Sequence, residues 1–265
     1  MIDILDGLHG AYTYPYARSA LGEYGLRAAV DNGDLVGFGR GVLLDARRVL
    51  DLRTRCAGAL LLTGGVLVGP TAAALHGCSA IGGFPVHVRV PYTQRIRSRN
   101  GLVVHQGDVT PGEVTVMDGL RVLTMDRTIT EVLCSAPRRT ALACADQLLR
   151  AMRAEDRPDF IESVATQLAA RPDRRGTKQA ARLLSLASGL PESPAQSAFL
   201  LVLADSGFPK PECQYEIRDH NGQVRHRLDF AWPAHQVALE HEDNDPSRAE
   251  DLHRRGWLIL QADTE

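Results

Sequence analysis

Two short apolar runs near the end of the chain constrain its fold more than any other stretch. Val224 to Phe230 alternates between apolar and polar side chains, and Gln236 to Glu240 is apolar between turn residues. Both patterns read as strands, and Trp232-Pro233-Ala234 supplies the turn that joins them. The runs carry three carboxylates, Asp229 in Leu228-Asp229-Phe230, and Glu240 and Glu242 in Leu239-Glu240-His241-Glu242. A hairpin brings Asp229 and Glu240 together at the strand ends. A hard divalent cation, Mg²⁺ or Mn²⁺, is held by one or two carboxylates with water and substrate phosphate completing its shell. Asp229 and Glu240 are therefore candidate metal ligands, and Glu242 a third acid able to position a nucleophile, in a site suited to phosphodiester hydrolysis. The alternative is that strand-end acids simply face solvent.

The flanks extend the pattern. Upstream, Ser193-Pro194-Ala195-Gln196-Ser197 opens an apolar helix, Phe199 to Ala204, that stops at Gly207-Phe208-Pro209. Downstream, Asp245-Pro246-Ser247-Arg248 leads through Leu252 to Gly256-Trp257-Leu258-Ile259-Leu260. This order of helix, Asp-bearing hairpin with Glu-x-acid, helix and Gly-Trp strand resembles the very-short-patch-repair endonuclease-like (Vsr-like) branch of the PD-(D/E)xK nucleases, over roughly the last quarter of the chain. The resemblance implies an α/β restriction-endonuclease-like domain over residues 191–265, in shortened form. It makes Asp229 the metal-bridging aspartate, Glu240 the second ligand, and Glu242 the occupant of the place where the wider superfamily has Lys. Gln196 stands where relatives carry Glu, a neutral amide able to orient water or phosphate. Relatives continue from the acidic pair to a His, whereas this chain continues Asp243-Asn244-Asp245, so that His has no counterpart.

At 265 residues and 44% hydrophobic content the chain has material for two or three small domains. Its net charge of −2 names no partner, but the distribution is uneven. Residues 61–195 hold 16 basic and 12 acidic side chains, and residues 196–265 hold 7 and 13. The acidic excess at the end repels DNA unless cations offset it, a second argument for metal, although an inactive acidic surface has the same composition. The five cysteines are scattered without a C-x-x-C pair, which predicts reduced core residues. The opening Met1-Ile2-Asp3 is acidic and no apolar run reaches membrane-spanning length, so the expectation is a cytoplasmic protein without a membrane partner.

The first 55 residues read as a helical unit followed by a ribbon. Tyr16 to Leu21 and Gly25 to Val30 form two helical segments separated by Gly22-Glu23-Tyr24, and Leu35 to Leu43 is a glycine-rich hairpin. Two helices and a ribbon outline a winged helix-turn-helix, with Arg27 on the second helix and Arg40 at the wing as candidate DNA contacts. A helical cap with two solvated arginines fits the same pattern. Further on, Arg53 to Leu62 and Thr71 to Gly77 read as helices, and Pro85 to Pro91 alternates strictly as a half-buried strand with His87 and Arg89 on the polar face. Arg95, Arg97 and Arg99 alternate with Ile96 and Ser98, so an extended segment projects three guanidiniums to one side, a row suited to phosphates; a solvated loop is the alternative. His76 and His105 stand apart from other ligand types and read as core or capping histidines.

Gly33-Asp34-Leu35 with Gly39-Arg40-Gly41-Val42, Ala72-Ala73-Ala74-Leu75-His76-Gly77, and Gly119 to Thr124 with Arg127-Thr128 together resemble the AbiEi-type antitoxin family, over roughly residues 10–150. The resemblance implies α+β winged-helix and AbiEi-like domains, DNA as the partner, and repression of a toxin-antitoxin operon with a cognate toxin. Residues 138–190 carry helical periodicity, broken at Pro172 to Gly176, and read as a spacer packing on the second domain. The expected division is thus a winged helix at 1–55, an AbiEi-like α+β domain with helical spacer at 56–190, and the nuclease-fold domain at 191–265. Two functions follow: a Mg²⁺- or Mn²⁺-dependent DNA endonuclease, or a non-catalytic DNA-binding regulator retaining a degenerate nuclease fold.

Overall fold

The computed structural model describes residues 7–241 and 246–262. It is a mixed α and β protein with several sheets, and its contacts divide it into two units, Met1–Val132 and Leu133–Glu265. The sequence-based boundary at 55 falls inside the first unit and that at 190 inside the second.

In the first unit, β1 (Ala11–Thr13) precedes α1 (Tyr14–Asp31), and β2 (Leu35–Gly39) pairs with β3 (Val42–Asp45) in a three-stranded antiparallel sheet of order β1-β3-β2. Thr13 caps α1 by accepting from the Tyr16 amide at 3.4 Å. Gly22, at φ 70 and ψ 169, interrupts α1, so the two helical segments expected from sequence form one element with a kink. The chain continues through α2 (Leu52–Thr63), β4 (Val66–Leu67), α3 (Gly69–Leu75), β5 (Val86–Val90), β6 (Leu102–Gln106), β7 (Val114–Met117), β8 (Leu120–Leu123) and α4 (Met125–Ser135). These strands form a sheet of order β6-β5-β4-β8-β7, with β5 parallel to β6 and β4 parallel to β8.

Small side chains let α2 lie close on its neighbours. Cys56, Ala57 and Ala59 are fully buried in one cluster with Leu44, Leu67, Val86, Val88 and Val122. A Cβ on Gly58 would stand 2.8 Å from Leu44 Cδ2, which is why the middle of this helix tolerates its least helix-favouring residue. Val86, Val88 and Val90 are buried, and His87 and Arg89 occupy the opposite face, in line with the strict alternation.

That polar face corrects one expectation. His105, read from sequence as isolated, lies on β6 with its Nε2 3.0 Å from His87 Nδ1 and the two rings stacked. Arg89, beside them, makes a two-pronged bond to Glu131 at 2.7 and 3.1 Å. Burial first, then the neighbouring imidazole, lowers the His87 pKa; burial first, then Arg89, lowers that of His105. Both groups take up protons more readily in the unfolded chain, so the stability they contribute is present above the ordinary value of 6.5 and lost as pH falls below it. Thermal melting between pH 7.5 and 5.5 is therefore expected to show a shallower fall in Tm for His87→Gln/His105→Gln than for the wild type. Equal falls would remove the pair as a source of acid sensitivity.

In the second unit, α5 (Arg138–Ala151), α6 (Arg157–Ala170) and α7 (Thr177–Leu186) precede α8 (Pro194–Asp205). Then come β9 (Glu212–Arg218), β10 (Val224–Trp232), β11 (Val237–His241), α9 (Pro246–Arg254) and β12 (Leu258–Ala262). The sheet order is β12-β11-β10-β9; β9, β10 and β11 form an antiparallel meander, and β12 returns parallel to β11 through α9. Two clusters pack around this sheet. Leu200 and Leu203 of α8 meet Phe230 and Leu239, while Leu252 of α9 and Trp257 meet Leu228, Ala231 and Ala238. Asp146 of α5 is buried and ties α5 to α8, accepting from Ser197 Oγ at 2.7 Å and from the amides of Ser188 and Gly189 at 2.9 and 3.0 Å. This is why the helices expected to be a spacer share a unit with the C-terminal sheet. Among the described residues, no helix is long and apolar enough to cross a membrane.

Candidate functional site

The β10–β11 register sets Phe230 opposite Leu239 and Ala231 opposite Ala238, and its continuation sets Asp229 across from Glu240. Asp229 is half-buried between the buried Leu228 and Phe230, and Glu240 is 3% exposed. The backbone N–H of Asp229 donates to the Glu240 carboxylate, so the two acids are immediate neighbours. Burial raises the Glu240 pKa, Arg248 opposes that shift, and the Asp229 charge adds to it. Glu242, the third acid of the sequence-based set, lies outside the described residues. Among the described residues, no group of three or more His, Cys, Asp or Glu could hold a metal ion.

Two contacts complete the pair, and neither residue was assigned a role from sequence. Arg248 of α9 approaches Glu240 with both Nη groups, at 3.1 and 3.2 Å, and also donates to the Arg227 carbonyl at 2.6 Å. A signal for it existed: Arg248 lies one helical turn before the buried Leu252, on the inner face of α9, where a cation requires an acid. Gln214 of β9 donates from Nε2 to Asp229 Oδ1 at 3.1 Å, and its backbone holds φ 54. A non-glycine residue at positive φ inside a strand is uncommon and has no sequence signature.

Gln196 is buried, but its amide oxygen accepts from the Glu192 backbone at 2.6 Å while Ser193 Oγ accepts from the Gln196 amide at 3.1 Å. Its side chain thus stabilises the start of α8, in the manner of a capping box. Two oxygen donors side by side, one buried and raised in proton affinity, suit a hard cation, with Arg248 as its competitor for Glu240. Two of the five thiols are held in the protonated form, since burial pushes Cys56 up to about 12 and Cys213 to about 11.

The basic residues expected to meet DNA belong to the first unit. Arg27 is exposed on the second segment of α1, loosely paired with Asp31 at 3.8 Å, and Arg40 is exposed at the β2–β3 turn. Arg95, Arg97 and Arg99 are exposed, but their segment carries no regular strand apart from a bridge between Arg99 and Leu102. The structure brings Arg99 to the hairpin, where its Nη1 would stand 2.6 Å from a Cβ at Gly39, beside Arg40.

No family model matches the chain. A solved structure, that of the RV2827C protein from Mycobacterium tuberculosis, aligns with 79% of this chain and 83% of its own, at 16% identity and a TM-score of 0.45. The uncharacterized proteins MT2308 and Rv2248, from strains CDC 1551 / Oshkosh and H37Rv of Mycobacterium tuberculosis, are each 35% identical over 248 residues. The match takes in 89% of this chain and 88% of each of theirs. At that identity and extent, the chain belongs to the protein family of MT2308 and Rv2248.

Proposed function

We propose that the protein acts on DNA and that its second unit is a restriction-endonuclease-like, Vsr-like domain whose acid pair serves phosphodiester hydrolysis. The observation that carries this reading is the acid pair itself: a helix–three-strand–helix–strand order in which Asp229 and Glu240 stand opposite each other and share a hydrogen bond. Asp229 and Glu240 would hold Mg²⁺ or Mn²⁺, which when bound supplies Lewis acidity and an activated water. Gln214 fixes the Asp229 carboxylate, and Arg248 aligns Glu240 and opposes the rise in its pKa that burial causes. The kinked α1 and the β1-β3-β2 sheet support a winged-helix, AbiEi-like reading of the first unit, with Arg27, Arg40 and Arg99 as its cationic contacts. The test is incubation of supercoiled plasmid with Mg²⁺ or Mn²⁺. Nicking or linearisation by the wild type, reduced at least about a hundredfold by Asp229→Ala, is the expected outcome. Equal cleavage by the variant would sink the assignment.

A second reading is favoured by two contacts. Both Nη groups of Arg248 already neutralise Glu240, and the Gln196 oxygen is spent on the start of α8. A non-catalytic DNA-binding regulator or antitoxin retaining this fold would show specific retardation of its promoter DNA without cleavage, and would be encoded beside a toxin.

A further inference from the structure

Beside the acid pair, within the second unit, lies an open cleft of about 620 Å³ lined by Arg225, His226, Ser247, Arg248, Asp251 and Arg255. Among the described residues, all six that line it are polar, and three of them are arginines. This is a basic spot in a segment, residues 196–265, that carries 7 basic against 13 acidic side chains. We propose that the cleft is a phosphate-binding subsite that takes a backbone phosphate of a nucleic-acid strand next to the acid pair. The proposal rests on the reading of the second unit as DNA-acting and adds to it a second point of contact.

Three features favour an anion there. The first is that the carboxylates countering two of the guanidiniums sit behind them. The Asp219 side chain is 6% exposed while its partner Arg225 is 58% exposed, and Glu240, nearly fully buried, stands behind Arg248. The cations therefore face the opening. The second is donor capacity: Arg225 contacts Asp219 through Nε at 3.0 Å, and Arg255 contacts Asp251 through Nε at 2.9 Å. Their Nη groups, apart from a nearby carboxylate charge, make no other hydrogen bond among the described residues, leaving a fork of N–H donors on each side of the cleft. The third is backbone geometry. Consecutive strand residues ordinarily face opposite ways, yet a register shift between Val224 and His226 lets both Arg225 and His226 line the same cleft.

Among the described lining residues Asp251 is the one acid, and it is already covered, by His226 Nε2 at 2.7 Å and by Arg255. The volume exceeds that of a lone phosphate, and the opening suits a strand passing through. Arg248 lines the cleft and also holds Glu240, so a phosphate bound here adjoins the one presented to the acid pair.

The test measures binding of a fluorescein-labelled 20-base-pair duplex by the full chain, in EDTA so that nothing is cut, across a salt series. Arg225→Gln/Arg255→Gln is expected to weaken binding at least about tenfold and to make the slope of log K against log salt shallower by about one, the share of the single phosphate that is no longer neutralised. The control is Arg153→Gln/Arg175→Gln, which removes two exposed arginines elsewhere in the same unit. A control that weakens binding as much overturns the proposal, because net charge alone then explains the loss. Arg225→Lys/Arg255→Lys, which keeps the charge and removes the fork, is expected to fall in between, and melting curves establish that each variant is folded. Duplex binding unchanged in the Gln variant overturns the proposal, including the case in which only inorganic phosphate binding is abolished and the occupant is free phosphate. The two readings fail separately. A wild type that binds without cutting in Mg²⁺, with a weakened Gln variant, removes hydrolysis and keeps the subsite; a wild type that cuts, with an unweakened variant, does the reverse.

Discussion

Asp146→Ala is expected to destabilise the second unit by about 4 kcal/mol and to lower its Tm by about 10 °C or more, because it orphans three donors at once. The Ser188 and Gly189 amides and the Ser197 hydroxyl all end on this one buried carboxylate. A donor left unsatisfied away from water costs its desolvation, about 1–3 kcal/mol each. Asp146→Asn separates hydrogen bonding from charge. Its oxygen keeps both amides, and its nitrogen donates to Ser197 Oγ once that hydroxyl turns. Burial raises the Asp146 pKa above the ordinary 3.8, its hydrogen bonds opposing the shift. A carboxyl raised in this way contributes most below the unfolded value and loses that contribution as pH rises through the folded one. The neutral Asn avoids the loss, so Asp146→Asn is expected within about 1 kcal/mol of wild type at pH 7, with a flatter dependence of Tm on pH. Melting both variants between pH 4 and pH 8 decides it. An Asn variant as damaged as the Ala variant would mean that the negative charge, not the set of acceptors, holds α5 to α8.

How legible these features were depended on the scale of the pattern that carried them. Period-two alternation located β5 and β10, because one face of each had to be buried and a shift of one residue would have exposed Val88 or Phe230, while β11 showed as a short apolar run between turn residues. The turn at Trp232-Pro233-Ala234 already brought Asp229 and Glu240 together at the strand ends. The helical periodicity of residues 138–190 was equally plain, but a spacing of leucines says which face is buried and not against what. Asp146, the residue that joins those helices to α8, sits inside Ala-Cys-Ala-Asp-Gln-Leu-Leu and gives no sequence sign of its partners. The row Arg95, Arg97 and Arg99 alternated as a strand would, yet the segment turns after Pro91, and Ser98 Oγ is claimed by the Val104 amide at 2.9 Å. Local hydrogen bonding there overrode the alternation. His87 and His105 meet only because β5 and β6 run parallel, a pairing that no local pattern states.

Arg248→Met is expected to cost about 3–5 kcal/mol, the usual consequence of stranding one member of a buried ion pair. The Glu240 side chain is 4% exposed and that of Arg248 18%, so solvent does little to screen them. With Arg248 gone, Glu240 is left beside the Asp229 charge with no cation against it among the described residues. Glu240→Gln/Arg248→Met removes both charges while keeping similar volume, and is expected to recover most of the loss, since two charges withdrawn from water cost nearly what their attraction returns. The four proteins form a double-mutant cycle, read by denaturant melts, that isolates the pairwise coupling from the packing of the arginine stem. Added Mn²⁺ gives the cycle its functional meaning. If the acid pair takes a divalent cation, the metal replaces the missing guanidinium, and the rise in Tm with Mn²⁺ is larger for Arg248→Met than for the wild type and absent in the double variant. A Tm that ignores Mn²⁺ in all four proteins would identify Glu240 and Arg248 as a structural ion pair, and the regulator would then be the better account of the second unit.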